Sequence, residues 1–526
     1  MINYWWVTRP KRRLNSVPES LSTLTSVALN KIWQGDVDLH LAFESSLESG
    51  GVKKVGERRD QTGGGARTYV AWLKSLGLIF KQERNNRIFT TLAGDAILCG
   101  DNPVDVLKNQ VLKYQFPSSF SISRGVDVNR RFRIHPFIFL LKLMRDSRVR
   151  YLTQEEIAKI VIVEAENESN SCYNAVVQKI INFRNDGDAS LPRDFDLKYG
   201  PSKGGRYGDR FGHLLDVANT IFNWMEFTRL IARESGTMGQ SASMFIPEDK
   251  KAEVDAILQT PPRFIDRPEE EEVFQRRYGL DPRHIRDNRD LTNTPSVTVR
   301  MVEESRIKSL FISESLKKPI FSITNELISS IVEQSGCDYR LVEDTLYTMC
   351  PNNTVSMVDA FLSNYRDMAF SGRDEAVDFE RATVEIMKEV FCYSAEHVGP
   401  RGLTPDVLVI SDSEGYLGIF DNKAYARYSI TNDHHNRMVR NYISNISSYN
   451  DGSDYPLSFF SYIAGGFKPT IDSQLNSIYS ESNIKGSAIS VDNMIQLIKK
   501  QTEAPKNHSE LRTMFSMGRE IRFSDI

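Results

Sequence analysis

The sequence is poor in cysteine and in long apolar stretches. It holds five cysteines among 526 residues, and none of them forms a CxxC pair, so the spacing predicts neither a zinc site nor a disulfide framework. No apolar run approaches the roughly 20 residues that a membrane-spanning helix needs. The opening stretch MINYWWVTRPKRRLN also lacks the apolar core of a signal peptide. These absences favour a globular protein of a reducing cytoplasm.

Charge is nearly balanced overall but unevenly distributed along the chain. The net charge is −3, yet residues 1–150 hold 24 Lys and Arg against 13 Asp and Glu. The remainder holds 42 against 56. A basic N-terminal part predicts a polyanionic partner for that part. An ordinary solvated surface without such a partner is the alternative, and composition alone leaves it open.

A helix followed by a hairpin is predicted within the basic part. The stretch ARTYVAWLKSLGLI has the apolar spacing of an amphipathic helix, and LIFKQERNNRIFTTL alternates and turns at ERNN. This order is typical of a winged helix-turn-helix that contacts DNA, although a generic α+β module has it too. The side chains expected to face DNA are Arg67, Thr68, Ala71, Lys74 and Ser75 on the helix, and Arg84 and Arg87 on the hairpin.

A related pattern follows. Thr153 and Glu156 have the spacing of a capping box at the start of a helix, and SMFIP is a candidate wing strand. We therefore expect a multidomain α+β protein. Its predicted parts are a DNA-recognition region over residues 1–290 with two winged-helix-like lobes (about 1–150 and 151–290), a helical linker over 291–352, and an α/β nuclease-like domain over 353–526.

The last third of the chain carries two aspartates and a lysine around a predicted hairpin. The stretch TPDVLVISDSEGYLGIFDNKAY contains two strands separated by a turn. Because side chains alternate along a strand, Asp421, Lys423 and Tyr425 are expected to share one face. Asp406 begins the partner strand. Two carboxylates and an ammonium are thus predicted to converge at the open end of the hairpin.

This convergence matches the requirements of phosphodiester hydrolysis. Aspartate oxygens suit Mg²⁺, and the metal polarises a phosphate and acidifies a water. A lysine orients that water or helps to deprotonate it, and offsets the charge that develops on phosphorus. A glutamate of the preceding helix, Glu380 or Glu385, can complete a second metal position or fix a metal-bound water. The pattern of Asp406, Asp421 and Lys423 is the one written PD-(D/E)xK. A surface ion pair at a hairpin end is the alternative that the short motif leaves open.

The sequence around the motif resembles the cleavage domain of the type IIS restriction endonuclease FokI from about residue 378 to 523. The matching stretches are IMKEVFCY, HVG, DNKAY, NRMVRNYI, LSFFSYIAGGF, GSAISVDNMI and GREIRF. Residues 1–290 instead resemble the AlwI-type family, which includes strand-specific nicking enzymes. The stretches that carry this second resemblance are NYWWVTRP, VLKYQFPS, IHPFIFLLKLM, KIINFRN, DVANTIFNWMEFTRLIAR and MFIPEDK.

The resemblance implies a type IIS restriction endonuclease of the prokaryotic cytoplasm. Such an enzyme binds an asymmetric site in double-stranded DNA and hydrolyses phosphodiester bonds at a fixed distance from it, with Mg²⁺ or Mn²⁺. By the same resemblance Asp406, Asp421 and the backbone carbonyl of Asn422 are metal ligands. Lys423 is the catalytic lysine, and Glu380 matches the family's helix glutamate.

The resemblance also implies a transient homodimer of cleavage domains on DNA. At the positions where the family carries a reciprocal Asp and Arg pair, this sequence has Arg437 and Asn441. That ion pair is therefore absent, and a strand-specific nicking enzyme or subunit is the main alternative. A non-catalytic DNA-binding regulator is a more distant one.

A pair of histidines and a glycine-rich stretch are two further candidate motifs. His434 and His435 followed by Asn436 suggest an HNH-type metal site, but no second His or Cys cluster lies near them in sequence. The stretch QTGGGARTY precedes a helix as phosphate loops do. It lacks the G-K-[ST] ending, so a glycine-rich start of a helix is the preferred interpretation.

Overall fold

The computed structural model describes the chain except for residues 51, 54–55, 57–60, 100, 124, 201–210, 235–240, 290, 292–298, 350–354, 371, 373–374 and 451. The chain divides into two compact units. The first comprises residues 1–313 and 323–352, and the second comprises residues 314–322 and 353–526. No helix in the described ranges is long and apolar enough to cross a membrane.

The first unit is mainly helical. Its helices are α1 (Val17–Ala28), α2 (Val37–Ser49), α3 (Gly64–Ser75), α4 (Leu92–Leu98), α5 (Pro103–Leu112), α6 (Pro136–Arg145), α7 (Gln154–Glu156), α8 (Ile162–Glu164), α9 (Asn170–Asp186), α10 (Phe195–Tyr199), α11 (Gly212–Phe227), α12 (Lys251–Gln259), α13 (Glu271–Tyr278), α14 (Val299–Lys317), α15 (Asn325–Ser335) and α16 (Tyr339–Met349). Between α7 and α8 lies a π-helical turn, Ile157–Val161, and 3₁₀ turns cover Gly187–Ser190 and Glu248–Lys250.

Short strands form three small sheets in this unit. They are β1 (Ile79–Lys81), β2 (Ile88–Thr90), β3 (Ile122–Ser123), β4 (Val126–Asp127), β5 (Tyr151–Thr153), β6 (Ala232–Glu234) and β7 (Ser243–Phe245). β1 pairs with β2 and β3 with β4, both antiparallel, and the third sheet has the order β5-β7-β6. The predicted helix and hairpin are thus present as α3 and β1–β2.

Glycines allow α3 to begin where it does. Gly63 has a φ of +74°, and a Cβ built on it would lie 2.4 Å from the Cβ of His40. A Cβ on Gly65 would lie 2.3 Å from Oε1 of the buried Glu44. Any larger side chain would push α3 away from α2, since only glycine has no Cβ. The glycine run therefore serves close packing of α3 against α2.

The two faces of α3 follow the predicted pattern except at one position. Tyr69, Trp72 and Leu73 are buried, whereas Arg67 and Thr68 are exposed. Ser75 was expected to face solvent, and that expectation is wrong. Ser75 is buried, and its hydroxyl donates to the carbonyl of Trp72 at 2.7 Å, because a serine can satisfy its hydroxyl on its own helix and then tolerate burial.

The capping box predicted for Thr153 and Glu156 is confirmed. The Thr153 hydroxyl accepts from the Glu156 backbone N–H at 3.1 Å, and the Glu156 carboxylate accepts from the Thr153 N–H at 2.9 Å. The candidate wing strand is β7, which pairs with both β5 and β6. The winged-helix character of the two lobes is not confirmed, and the division at residues 290 and 352 stays a prediction.

The second unit is built on a six-stranded sheet. Its strands are β8 (Ser394–His397), β9 (Val407–Ser411), β10 (Tyr416–Lys423), β11 (Leu457–Ala464), β12 (Gly486–Ser490) and β13 (Glu520–Ile521), in the order β13-β12-β11-β10-β9-β8. β9 pairs antiparallel with both β8 and β10, whereas β10, β11, β12 and β13 run parallel to one another. The expected hairpin is therefore the centre of a larger mixed sheet.

Helical layers cover both faces of this sheet, as expected for an α/β domain. The helices of the unit are α17 (Val355–Ala369), α18 (Ala376–Glu389), α19 (Asn432–Asn436), α20 (Ile471–Ser482), α21 (Val491–Glu503) and α22 (His508–Phe515), with a π-helical segment Arg437–Ile443 and 3₁₀ turns Gly399–Arg401, Ile446–Ser448 and Phe523–Asp525. One core joins α17, α18, α21 and α22 to the sheet. The other joins α20 and the π-helical segment to the opposite face.

Candidate active site

The ends of β9 and β10 bring two aspartates together. Phe420 of β10 is opposite Val407 of β9 in the antiparallel register, so Asp421 and Asp406 follow and precede this pair at the same edge. Asp421 is only 2% exposed. It lies on the face of β10 that also carries Ile419, because side chains alternate along the strand.

Asp406 is held by the backbone of β10. The N–H of Asn422 donates to Oδ2 of Asp406 at 2.6 Å. Burial raises the pKa of Asp406 well above its usual range, and the negative charges of Asp421 and Glu380 raise it further. The charge of Lys423 opposes this rise. A pair of desolvated carboxylates of this kind is stabilised by a bound proton or cation.

Lys423 completes the cluster. Its Nζ lies 2.7 Å from Oδ2 of Asp421. Burial lowers the pKa of Lys423, but the carboxylates of Asp421 and Asp406 outweigh burial and raise it above the ordinary lysine value. Lys423 is therefore an ammonium in this arrangement. An ammonium can orient a water and offset negative charge, whereas it cannot accept a proton.

Of the two helix glutamates, Glu380 belongs to the cluster. Its charge acts on both Asp406 and Lys423, and its Oε2 lies 2.7 Å from Nε2 of His397. A Cβ on Gly399 would lie 3.3 Å from Oε2 of Glu380 and 3.5 Å from Cα of Asp406. Gly399 thus allows these groups to approach each other. Glu385 lies more than a turn farther along α18, outside these contacts of Glu380.

No sequence motif predicted a role for His397. It ends β8, next to β9 in the sheet, and its side chain is 15% exposed. The only sequence signal was the stretch HVG, which contributed to the resemblance without a role of its own. His397 orients the Glu380 carboxylate, because an imidazole nitrogen and a carboxylate oxygen at 2.7 Å share a charge-assisted hydrogen bond when the ring nitrogen is protonated.

The site fits a divalent cation through its unpaired oxygens. Oδ1 of Asp421 is buried and has no hydrogen-bond partner, and the buried hydroxyl oxygen of Tyr462 has none either. Tyr462 is the β11 partner of Asp421 in the parallel register. Buried polar atoms of this kind are costly unless something satisfies them. Carboxylate oxygens are the donors that Mg²⁺ and Ca²⁺ prefer.

The protein supplies few metal ligands of its own. Within the described ranges no group of three or more His, Cys, Asp and Glu side chains is arranged to hold a metal. Asp406 and Asp421 are the two aspartates of the cluster, and Glu380 lies beside them. The backbone carbonyl of Asn422, water and phosphate oxygens would have to provide the rest.

Tyr425 does not share a face with Lys423 as predicted, because β10 ends at Lys423 and Tyr425 is 52% exposed.

The two adjacent histidines have separate partners. His434 Nδ1 lies 2.8 Å from the hydroxyl of Tyr428, and His435 Nε2 lies 2.9 Å from Glu481. They do not form a joint metal site, which disfavours the HNH-type interpretation.

The predicted DNA-facing residues lie on one lobe of the first unit. Arg67 and Lys74 line a concavity of about 570 Å³ between α3, the hairpin and the β3–β4 turn. Lys74 Nζ lies 2.8 Å from Oε1 of Glu271 at the start of α13. Arg67 donates to the carbonyl of Thr62, and Thr68 donates to the carbonyl of Gly64 at 2.9 Å. Arg84 is exposed, and Arg87 donates to Oδ1 of Asn30, 57 residues earlier in the sequence, at 3.2 Å.

One stretch of the chain has a clear family match. Residues 336–522, which include most of the second unit, match the model of the FokI cleavage domain. The chain therefore contains a FokI-type cleavage domain. It is a type II nuclease, a hydrolase, and this class of domain depends on a divalent metal ion. The proposed site residues Glu380, Asp406, Asp421 and Lys423 all lie within the matched range.

Solved structures of restriction enzymes match more of the chain, with TM-scores between 0.30 and 0.36. The structures of restriction endonuclease FokI, free and bound to DNA, each show 14% identity and a TM-score of 0.30, covering 99% of this chain and 100% of the FokI chain. The BpuJ1 endonuclease binding domain, in complex with pyrene- and phenanthrene-modified DNA, shows 16% identity and a TM-score of 0.36, covering 53% of this chain and 96% of that chain. No curated protein matches the sequence.

Proposed function

We propose that this restriction endonuclease binds an asymmetric site in double-stranded DNA and hydrolyses phosphodiester bonds at a fixed distance from that site, using Mg²⁺. The observation that carries the proposal is the convergence of Asp406, Asp421 and Lys423, with Glu380 beside them, inside the FokI-type domain. The basic excess lies in residues 1–150, which belong to the other unit. Recognition and cleavage are thus assigned to different units.

Each residue of the cluster has a separate task. Asp406 and Asp421 would hold the cation, with the Asn422 carbonyl as a further oxygen donor. When bound, the cation polarises the scissile phosphate and lowers the pKa of a coordinated water. The Lys423 ammonium orients the attacking water and offsets negative charge on the phosphate. Glu380, held by His397, provides another hydrogen-bond acceptor at the edge of the site.

The proposal is tested with supercoiled plasmid, the full-length protein and Mg²⁺. A type IIS enzyme that cuts both strands yields linear DNA with ends at defined positions. A nicking enzyme yields open circles, and a non-catalytic DNA-binding protein leaves the plasmid supercoiled. Intact plasmid at every Mg²⁺ concentration would refute the proposed function.

Strand-specific nicking is the second candidate, and one observation favours it. Arg437 occupies one of the positions at which the resemblance implies an intermolecular ion pair, and its carboxylate partner here is Asp433 of the preceding turn, at 2.8 Å. Asn441 supplies no charge. Pairing of two cleavage domains on DNA would need other contacts, so the dimer remains a proposal. Plasmids with two sites should be linearised faster than plasmids with one if pairing occurs.

Replacing Arg67 or Lys74 by alanine is expected to weaken specific DNA binding. The loss should be about 1–3 kcal/mol if the side chain contacts a base edge. If the side chain contacts only phosphate, affinity should fall similarly on all sequences. The slope of log affinity against log salt concentration should then become shallower by about one unit. Fluorescence anisotropy with cognate and unrelated duplexes, over a salt series, separates the two cases.

The matched control is Lys198→Ala. Lys198 is also an ion-paired lysine of the first unit, with Nζ at 2.9 Å from Asp194, but it lies on α10, away from α3. Binding by the Lys198 variant should equal wild type. Unchanged binding by both the Arg67 and the Lys74 variants would remove α3 from the recognition surface.

A further inference from the structure

The residue between Asp421 and Lys423 has a side chain that faces away from the active site. Asn422 is 8% exposed, and alternation along β10 places its side chain on the face covered by α18. Its Nδ2 donates to the hydroxyl oxygen of Thr383 at 2.7 Å and to the carbonyl of Phe379 at 3.3 Å. Phe379 immediately precedes Glu380. The catalytic strand is thus hydrogen-bonded to the helix that carries the site's glutamate.

Thr383 joins a third element to the same network. It is fully buried, and its hydroxyl lies 3.0 Å from the carbonyl of Phe379 and 3.0 Å from the hydroxyl of Tyr365 on α17. A threonine hydroxyl has one proton and two lone pairs. If it donates to the Phe379 carbonyl, it can accept from both Asn422 and Tyr365. Every hydrogen-bonding position of the Thr383 hydroxyl is then used.

This polar network lies inside an apolar core. Phe379, Ala382 and Ile386 of α18 are buried in the same layer. Apolar packing is non-directional, so it defines the position of a helix along a sheet less sharply than directional hydrogen bonds do. The network also has a cost, because Oδ1 of Asn422 is buried without a hydrogen-bond partner. An apolar residue would avoid that cost, which indicates a role other than stability.

We propose that Asn422 and Thr383 are positioning residues that set Glu380 against Asp406, an inference that rests on the proposed nuclease function. The same residue Asn422 acts at both ends of this link. Its backbone N–H holds Oδ2 of Asp406 at 2.6 Å, and its side chain holds α18 one residue before Glu380. The middle residue of the D-x-K motif therefore aligns the two carboxylate-bearing elements.

The first test compares Thr383→Val with Thr383→Ser. Valine keeps the shape and removes the hydroxyl, whereas serine keeps the hydroxyl. Single-turnover cleavage by Thr383→Val at saturating Mg²⁺ should slow by about 10- to 100-fold, as for other residues that orient metal-site ligands. Thr383→Ser should recover most of the wild-type rate. Thr345→Val, at a buried threonine of α16 in the first unit, should cleave at the wild-type rate.

A triple variant separates positioning from stability. Asn422→Leu, Thr383→Val and Tyr365→Phe together replace the network by apolar groups and leave no donor without an acceptor. Such replacements are often neutral or stabilising, so the melting temperature should stay within a few degrees of wild type or rise. Cleavage should nevertheless be as slow as in Thr383→Val. Cleavage by the triple variant at the wild-type rate would overturn the inference, as would equal losses in Thr383→Val and Thr383→Ser.

The outcome for the wild-type protein keeps the two proposals apart. If the wild-type protein cuts DNA and the variants cut equally well, only the positioning role fails. If the wild-type protein does not cut DNA with Mg²⁺, the proposed function fails, and the positioning role fails with it.

Discussion

Lys423→Ala is expected to abolish DNA cleavage, and Asp421→Ala is expected to do the same. In the proposed mechanism the Lys423 ammonium offsets negative charge on the phosphate, and the buried Asp421 carboxylate, whose Oδ1 has no hydrogen-bond partner, binds the cation. Loss of one such preorganised group slows an enzyme by at least about 100-fold. Single-turnover assays on an end-labelled duplex would measure the rate. Anisotropy on the same duplex should show site-specific affinity within a few-fold of wild type.

The control for these variants is Lys485→Ala. Lys485 is an exposed lysine of the same unit, directly before β12, and its removal should leave cleavage unchanged. Cutting by the Lys423 or Asp421 variant at the wild-type rate would show that the active site lies elsewhere. Loss of binding together with cutting would instead indicate that the substitution unfolds the chain.

Removal of divalent metal should have an effect of similar size. Cleavage should cease in a chelator, return with Mg²⁺ or Mn²⁺, and remain absent with Ca²⁺ while specific binding persists. The reason is that Asp406 and Asp421 offer only oxygen donors, which suit all three ions. Ca²⁺ takes more ligands in a looser geometry, so it would hold DNA without orienting the reacting groups.

The same experiment has a pH dependence with a defined sign. The pKa of Asp406 is raised by burial and by Asp421, so Asp406 takes up a proton at a higher pH than an ordinary aspartate. Protons and cations compete for the same oxygens. The Mg²⁺ concentration for half-maximal cleavage should therefore increase as the pH falls. A half-maximal concentration that is constant with pH, or cleavage that persists in the chelator, would contradict the assigned site.

Local sequence patterns predicted much of the proposed site. Strand alternation placed Asp421 and Lys423 on one face, and Nζ of Lys423 lies 2.7 Å from Oδ2 of Asp421. Alternation failed at Tyr425 because the strand ends at Lys423, and a pattern does not state where pairing stops. The choice of Glu380 over Glu385 came from the resemblance, since both are near the same helix face.

Contacts between distant segments could not be predicted in this way. His397 reaches Glu380 across the sheet edge, and Asn422 reaches Thr383 from strand to helix. In the first unit, Glu271 pairs with Lys74 although about 200 residues separate them in sequence. Such pairs depend on tertiary packing. Charge counts and periodicity report only what a segment could expose or bury.

Sequencing the ends of cleaved DNA tests whether the enzyme cuts at a fixed distance from an asymmetric site. A mixture of long duplexes of diverse sequence is incubated with the full-length protein and Mg²⁺, and the position of every new end is mapped. For a type IIS enzyme, the ends lie at a constant offset, outside one shared asymmetric sequence. Ends without a shared neighbouring sequence, or ends within the shared sequence itself, would contradict the proposed function.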